Sequence, residues 1–318
     1  MLLQIMEIET PLNHCINAAL AGGKASLLTS SDEVVIKESF VGEGHAIVTD
    51  ADIASNKAIL TILQSDFDSY FITEEETTIS EISNRILNES SFDKLEECRA
   101  YVIDEICGTS SHKIGHYEWA VSVGYVDRLE HSAGAIYAPK VYGGALFYAA
   151  KDKGAFMQIG EKNKLGGVER VDSEDSGDEK LSVSDTELKD AYVIFGADCV
   201  IKSKYPKHFE LMGQISDDIR TTNMNGSCAL PLALVAAGKV DALVQPLQCV
   251  WDYAAGKVLV EEAGGIIKFY EMDEKGNCFP IDELQLKHYD PGKRKVGFIA
   301  GNKNIVDELM AKLKALND

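Results

Sequence analysis

Apolar residues near the start of the chain recur at helical spacing. Leu12, Cys15, Ala18, Ala19 and Leu20 fall on one face and predict a helix over 11–30, interrupted at Gly22-Gly23. From Val34 to Thr49 the pattern becomes extended and glycine-containing, as in strands or a loop. A second helical stripe (Ala54, Ile59, Leu60, Ile62, Leu63) predicts a helix from near Asp52 to Ser65. Tyr70-Phe71-Ile72 reads as a buried strand ending in Glu74-Glu75-Glu76, and Tyr101-Val102-Ile103 as another, ending at Asp104. Trp119 to Val126, Ala133 to Ala138 and Gly144 to Ala149 continue in strand-like runs, so the N-terminal half is antiparallel-rich.

Residues 161–190 are polar, mostly acidic and poor in large apolar side chains, which marks a surface connection and a domain boundary. Beyond it the period alternates. A strand over Tyr192 to Gly196 precedes helices over 206–219 and 228–238, the second ended by Gly238. A strand over Ala242 to Val244, a helix from Tyr253 to Ala263 closed by Gly264-Gly265, and a strand over Ile266 to Tyr270 follow. Such alternation argues for an α/β layer. The expected organisation is an α+β domain over 1–185 and an α/β domain over 186–318.

Composition narrows the function classes. Hydrophobic residues at 45% and charged residues at 26% suit a soluble globular protein. No apolar run approaches the roughly 20 residues of a membrane helix, so no membrane partner is expected. The N-terminus lacks the basic flank and small-residue cleavage site of a secretory signal. Seven cysteines (Cys15, Cys98, Cys107, Cys199, Cys228, Cys249, Cys278) are scattered without a CxxC pair, as expected of reduced thiols in the cytoplasm. A formal net charge of −20 disfavours a nucleic-acid polymer as partner. For so acidic a chain to handle phosphate, clustered carboxylates must hold a cation that inverts the local charge.

Four acids stand where such a cluster would form. Asp52, Glu74, Asp104 and Asp252 each follow an apolar strand or open a helix. Magnesium prefers oxygen ligands and takes one or two carboxylates per ion. Two ions about 4 Å apart clamp the attacking and leaving oxygens of a phosphoryl transfer. Taken singly, each acid reads most simply as a solvated helix or strand cap. The surrounding motifs add weight. In Asp104-Glu105-Ile106-Cys107-Gly108-Thr109-Ser110-Ser111 a strand gives way to a turn whose backbone N–H groups could meet a phosphate. In Trp251-Asp252-Tyr253-Ala254-Ala255-Gly256, Asp252 caps a helix whose small residues permit close backbone packing.

Together these two segments resemble the paired signature of the inositol monophosphatase family, which includes bisphosphate nucleotidases and fructose-1,6-bisphosphatases. Other motifs fall in the same order. Val48-Thr49-Asp50-Ala51-Asp52 is similar to the early V-T-x-x-D motif, and Phe71-Ile72-Thr73-Glu74-Glu75 to F-I-G-E-E. Gly226-Ser227-Cys228-Ala229-Leu230 and Ala236-Ala237-Gly238-Lys239-Val240-Asp241-Ala242 resemble the later G-S/T-A-A-L and A-A-G-x-x-D-A segments. The resemblance spans about residues 34–270. It implies a layered α-β-α-β-α sandwich of the sugar-phosphatase type, a Mg2+-dependent phosphomonoesterase acting on a small phosphorylated metabolite (a polyol, sugar or nucleotide phosphate), and a homodimer.

The resemblance also implies roles. Glu74, Asp104 and the Ile106 carbonyl would hold the first ion; Asp104 and Asp252 would share the second. Asp52 and Thr109, with Glu74, would be the catalytic group that orients water, and Gly108, Thr109 and Ser110 would bind the phosphate. Gln245 stands where inositol monophosphatases place a glutamate that contacts sugar hydroxyls. The family's second-ion aspartate is Cys107 here, its neighbouring proline is Glu105, and Ser111-His112 replaces N-F. A thiol is a poor ligand for magnesium. Three readings follow: a weakened second Mg2+ site, a catalytically impaired chain that binds a metabolite or regulates, or a softer metal with Cys107 and His112 assisting. Lys37 and Arg220 could meet a second phosphate or simply be surface charges, and His116 and His131 are most simply structural.

Overall fold

The computed structural model describes residues 2–30, 33–38, 45–76, 79–159, 178–196, 205–292 and 296–317. Helix α1 (Leu2–Leu28) leads into a hairpin of β1 (Val34–Glu38) and β2 (His45–Thr49), and then α2 (Asp50–Leu63). A seven-stranded sheet follows in simple order: β3 (Ser69–Thr73), β4 (Arg99–Cys107), β5 (Ala120–Asp127), β6 (Glu130–Ala138), β7 (Ala145–Ala150), β8 (Gly154–Ile159) and β9 (Glu179–Lys180). Only the β3–β4 pair is parallel. A short helix α3 (Thr109–Lys113) is inserted after β4.

The C-terminal part interleaves β10 (Tyr192–Gly196), α4 (Pro206–Ile215), β11 (Thr221–Asn225), α5 (Ala229–Ala236), β12 (Ala242–Gln248), α6 (Val250–Glu262), β13 (Ile266–Met272), β14 (Cys278–Ile281), β15 (Val296–Gly301) and α7 (Lys303–Ala315). Its six strands run β11-β10-β12-β15-β13-β14. Three apolar clusters define five layers. One joins α1 and α2 to the outer face of the first sheet, a second packs α5 and α6 between the sheets, and the third sets α4 and α7 against the far face of the second sheet. The stack is the α-β-α-β-α sandwich that the sequence motifs imply.

The elements differ from expectation in instructive ways. Gly22 and Gly23 do not interrupt α1; they let it pack. A Cβ on Gly22 would lie 2.7 Å from Ser55 Oγ, and one on Gly23 would lie 2.4 Å from the Tyr137 ring. These glycines trade helix propensity for contact with α2 and β6. The helix expected over 206–219 ends at Ile215, and the C-terminal β14, β15 and α7 had no expected counterpart. Of the expected connection over 161–190, residues 161–177 lie outside the described residues, as does Cys199; 178–190 carry β9 and a 3-10 turn at Leu188–Asp190. The other six cysteines are free thiols, as expected. No helix of the described residues is long and apolar enough to cross a membrane.

Two local devices position the functional end of the first sheet. Along β4, Tyr101 and Ile103 face the α1–α2 side while Ala100 and Val102 face α6, the period of a strand buried on both faces. Pairing with β5 then slips by one residue between Asp104 and Cys107. The bulge reverses the alternation, so that Ile106 joins the α1–α2 cluster and Cys107 the α6 side. Asp104 and Cys107, three apart, thereby share one face. From the other side, α6 comes close enough for Asp252 to reach them. A Cβ on Gly134 of β6 would lie 2.6 Å from Ala255 Cα, and one on Gly124 of β5 2.8 Å from Ala254 Cβ.

Candidate metal centre

Five separate segments meet at the end of β4. Glu74 follows β3, and its N–H donates to the Ile103 carbonyl at 3.2 Å, which fixes it beside Asp104. Ligand atoms of Glu74, Asp104 and Glu105 lie within 4.8 Å of one another, as do those of Asp104, Cys107 and Asp252. Asp104 is common to both groups.

Asp52 and Asp252 reach the site by the same means. Each is the third residue of its helix and turns a carboxylate oxygen back to the capping residue. Thr49 donates to Asp52 Oδ2 through its N–H (2.8 Å) and hydroxyl (2.6 Å), while Cys249 N–H donates to Asp252 Oδ2 at 2.8 Å. The other Asp52 oxygen, Oδ1, accepts from the Thr109 hydroxyl at 3.1 Å; that hydroxyl is equally near the Ile106 carbonyl. Gly108 precedes Thr109 with φ of 101°, and a Cβ there would lie 2.8 Å from the Glu118 carbonyl oxygen. Only glycine suits the turn. Ser110 is exposed in the first turn of α3.

In the sequence Glu105 stands out only as a replacement for the family's proline. Its side chain points to the α2 side, where Asn56 Nδ2 donates to Oε1 at 2.6 Å and Ser55 Oγ donates to its backbone carbonyl at 2.9 Å. The residue is 1% exposed, and among the described residues Glu105 Oε2 and Asp104 Oδ1 have no hydrogen-bond partner. Buried carboxylate oxygens without partners are costly. The signal that could have found Glu105 is its place next to Asp104 in a strand buried on both faces.

The charges are correspondingly strained. Burial, then the like charges of Glu74, Asp252 and Glu105, push the Asp104 carboxyl well above the usual range. Burial, then Glu75 and Glu74, raise Glu105, against the opposing Asn56 hydrogen bond. Asp52 is pushed up to about 6, first by burial and also by Glu74, against the Thr49 and Thr109 hydrogen bonds. Cys107 Sγ accepts from the N–H groups of Cys228 (3.1 Å) and Ala229 (3.2 Å) and from Ser227 Oγ (3.4 Å), but burial and the nearby Asp104 raise its thiol strongly.

The two halves answer differently to a hard divalent cation. Glu74, Asp104 and Glu105 offer only oxygens, two of them unsatisfied, and fit Mg2+. Asp104, Cys107 and Asp252 include a sulfur and do not. His112 joins neither half. Its Nε2 lies 3.2 Å from the Ser26 carbonyl and its ring packs edge-on against Trp119, so His112 does not assist Cys107 as a ligand, contrary to the sequence expectation.

The remaining candidates sit elsewhere. Gln245 is buried on β12; its side chain crosses Gly196, where a Cβ would lie 1.6 Å from Gln245 Oε1. Arg220 is exposed and donates to the Asp190 carbonyl at 2.9 Å, tying down the edge of the second sheet. Lys37 belongs to β1, with a side chain outside the described residues. His131 is buried against Tyr289 (3.0 Å), and His116 pairs with Glu118 (3.5 Å) near the surface; neither is part of the centre.

The chain as a whole is similar to known proteins. The pattern of the inositol monophosphatase family matches residues 9–314. A fructose-1,6-bisphosphatase/inositol-1-monophosphatase from Aquifex aeolicus is 26% identical over 299 residues, covering 93% of this chain and 92% of the relative. A Nus factor SuhB from Haemophilus influenzae is 24% identical over 304 residues, covering 95% of each. The crystal structure of an extragenic suppressor protein suhB from Bartonella henselae superposes with a TM-score of 0.70 at 23% identity, covering 96% of this chain and 98% of that one.

Proposed function

The chain belongs to the inositol monophosphatase family, and from that membership we propose that it is a divalent-metal-dependent phosphomonoesterase acting on a small polyol, sugar or nucleotide phosphate. Family and relatives support a phosphatase in general. The observation that carries the finer reading is the meeting of the Asp52–Thr109 pair with the carboxylates of Glu74, Asp104 and Asp252 at one strand end.

In this reading Glu74, Asp104 and the Ile106 carbonyl would hold Mg2+, with the Glu105 carboxylate close to the first two. When bound, the ion supplies neutralising charge to the phosphoryl oxygens. The chain's own groups do the positioning. The Thr109 hydroxyl donates its hydrogen bond to Asp52 Oδ1, which leaves the hydroxyl's lone pairs to accept a hydrogen bond from the attacking water. Asp52, with a carboxyl near 6, can receive a proton at neutral pH. The Gly108-Thr109-Ser110 turn binds the phosphate. The protein acts as a cytoplasmic homodimer.

Phosphate release measured across inositol phosphates, bisphosphonucleotides and fructose-1,6-bisphosphate, with and without Mg2+, tests the proposal. Stimulated release from at least one is expected, and none from any would sink it. Cys107, together with the name of the Nus factor SuhB relative, favours a second reading: an impaired family member that binds a phosphate metabolite or regulates through a partner. That reading predicts thermal stabilisation by ligand without turnover, unchanged in Thr109→Ala.

A further inference from the structure

We infer that the half of the centre formed by Asp104, Cys107 and Asp252 is a site for a thiophilic divalent cation, of the zinc or cobalt kind, rather than a damaged magnesium site. The inference rests on the reading of this strand end as a cation centre, but not on turnover.

The first observation is the donor set. One sulfur and two carboxylates stand with ligand atoms within 4.8 Å of one another, close to the span that two ligands at ~2.0–2.3 Å from a common ion can bridge. Thiolate, carboxylate and open positions suit zinc and its analogues, whereas magnesium takes oxygen alone. The β4 bulge puts Cys107 on the Asp104 face, so the sulfur is directed there by the backbone.

A second, independent observation is the state of the groups themselves. Asp104 is 1% exposed; its side chain makes a hydrogen bond with Cys107, and its Oδ1 has no partner among the described residues. An oxygen so placed requires a cation or a donor. The sulfur is also better served than a merely packed cysteine. Two backbone N–H groups at the start of α5, from Cys228 and Ala229, point at Sγ from 3.1 and 3.2 Å, and the Ser227 hydroxyl adds a third contact at 3.4 Å. Donors of this kind fix the orientation of a thiolate ligand and support its negative charge. On ligation the S–H bond is exchanged for an S–metal bond and one proton leaves to water.

The experiment uses the full chain freed of metal, saturated with Mg2+ and then titrated with Co2+, with near-ultraviolet absorption recording thiolate-to-cobalt charge transfer. One equivalent of Co2+ should raise the band without displacement by Mg2+. Cys107→Ser, checked for an unchanged unfolding midpoint, should abolish it and weaken Zn2+ binding by more than the ~10–100-fold that loss of a mere supporting group costs. Cys107→Asp should lose the band and bind a second Mg2+. No band in the native protein, or a band that survives in Cys107→Ser, overturns the inference without need of any variant's folding in the first case. The band and the phosphate assay fail separately: a band without turnover removes the phosphatase reading alone, and turnover without a band removes this one alone.

Discussion

On one side of Asp104 stand Glu74 and Glu105, all oxygen; on the other stand Asp252 and the Cys107 thiol. The resemblance to the family pattern suggests that this chain has lost a carboxylate at 107. Set beside the geometry, the loss has a counterpart. Glu105 takes the place of a proline and brings a buried carboxylate into the same cluster, two residues earlier. The number of acids is kept while their distribution changes: the first half gains an oxygen donor and the second exchanges one for sulfur. A charge count along the sequence cannot distinguish a weakened centre from a redistributed one. The bulge in β4 does, because it decides which side chains face each other.

The largest effect should come from the residue the halves share. Asp104→Asn removes the carboxylate common to both, and phosphate release should fall by about 10^3-fold or more, as when a central electrostatic group is lost. Chelation of the metal should do the same. Retention of more than a tenth of the rate would show that the halves do not depend on Asp104.

Restoring the oxygen at 107 should act next in size and in the opposite direction. Cys107→Asp is expected to raise the Mg2+-supported rate on the order of 10- to 100-fold, since it completes an oxygen set for the second ion. An unchanged rate would mean that sulfur is not what separates the halves.

Glu105→Gln should act on the first half alone. Its volume is kept and the Asn56 contact has an acceptor still, but the charge is gone. The Mg2+ concentration for half-maximal rate should rise about tenfold, with the Co2+ band unchanged. If both shift together, the division into two halves fails.

Much of this was legible in the sequence. Motif order gave the layered fold and the neighbourhood of Asp52, Glu74, Asp104 and Asp252. Near-continuous apolar runs marked β4 and β5 because both faces of that sheet are covered. Other parts were not legible for physical reasons. Gly22-Gly23 reads as a helix break in isolation, since only the tertiary contact with Ser55 and Tyr137 explains it. His112 looks like a ligand from its distance to Cys107 along the chain, yet α3 turns it toward Ser26. The role of Glu105 depends on where a strand surrounded by helices directs two successive acids, which one sequence does not encode as a pattern.

The smallest effect uses Asp52, which belongs to neither half but feels one of them. Its carboxyl is raised to about 6, by burial first and by Glu74 among the later causes, from an ordinary 3.8. The folded chain therefore binds this proton more tightly than the unfolded chain does. The stabilisation is full below about pH 3.8 and is lost as the pH rises through about 6. Relative to Asp52→Asn, the metal-free protein should gain about 1 kcal/mol between pH 7 and pH 5, read from urea unfolding. Buried His131 and His208, lowered to about 3 and about 4, act in the opposite sense but cancel because both proteins carry them. Mg2+ in the oxygen half offsets the Glu74 charge beside Asp52 and should narrow the gain, while one equivalent of Co2+ held at Cys107 should leave it. Equal narrowing by both ions would show that Asp52 senses one merged centre, and that the sulfur half has no separate existence.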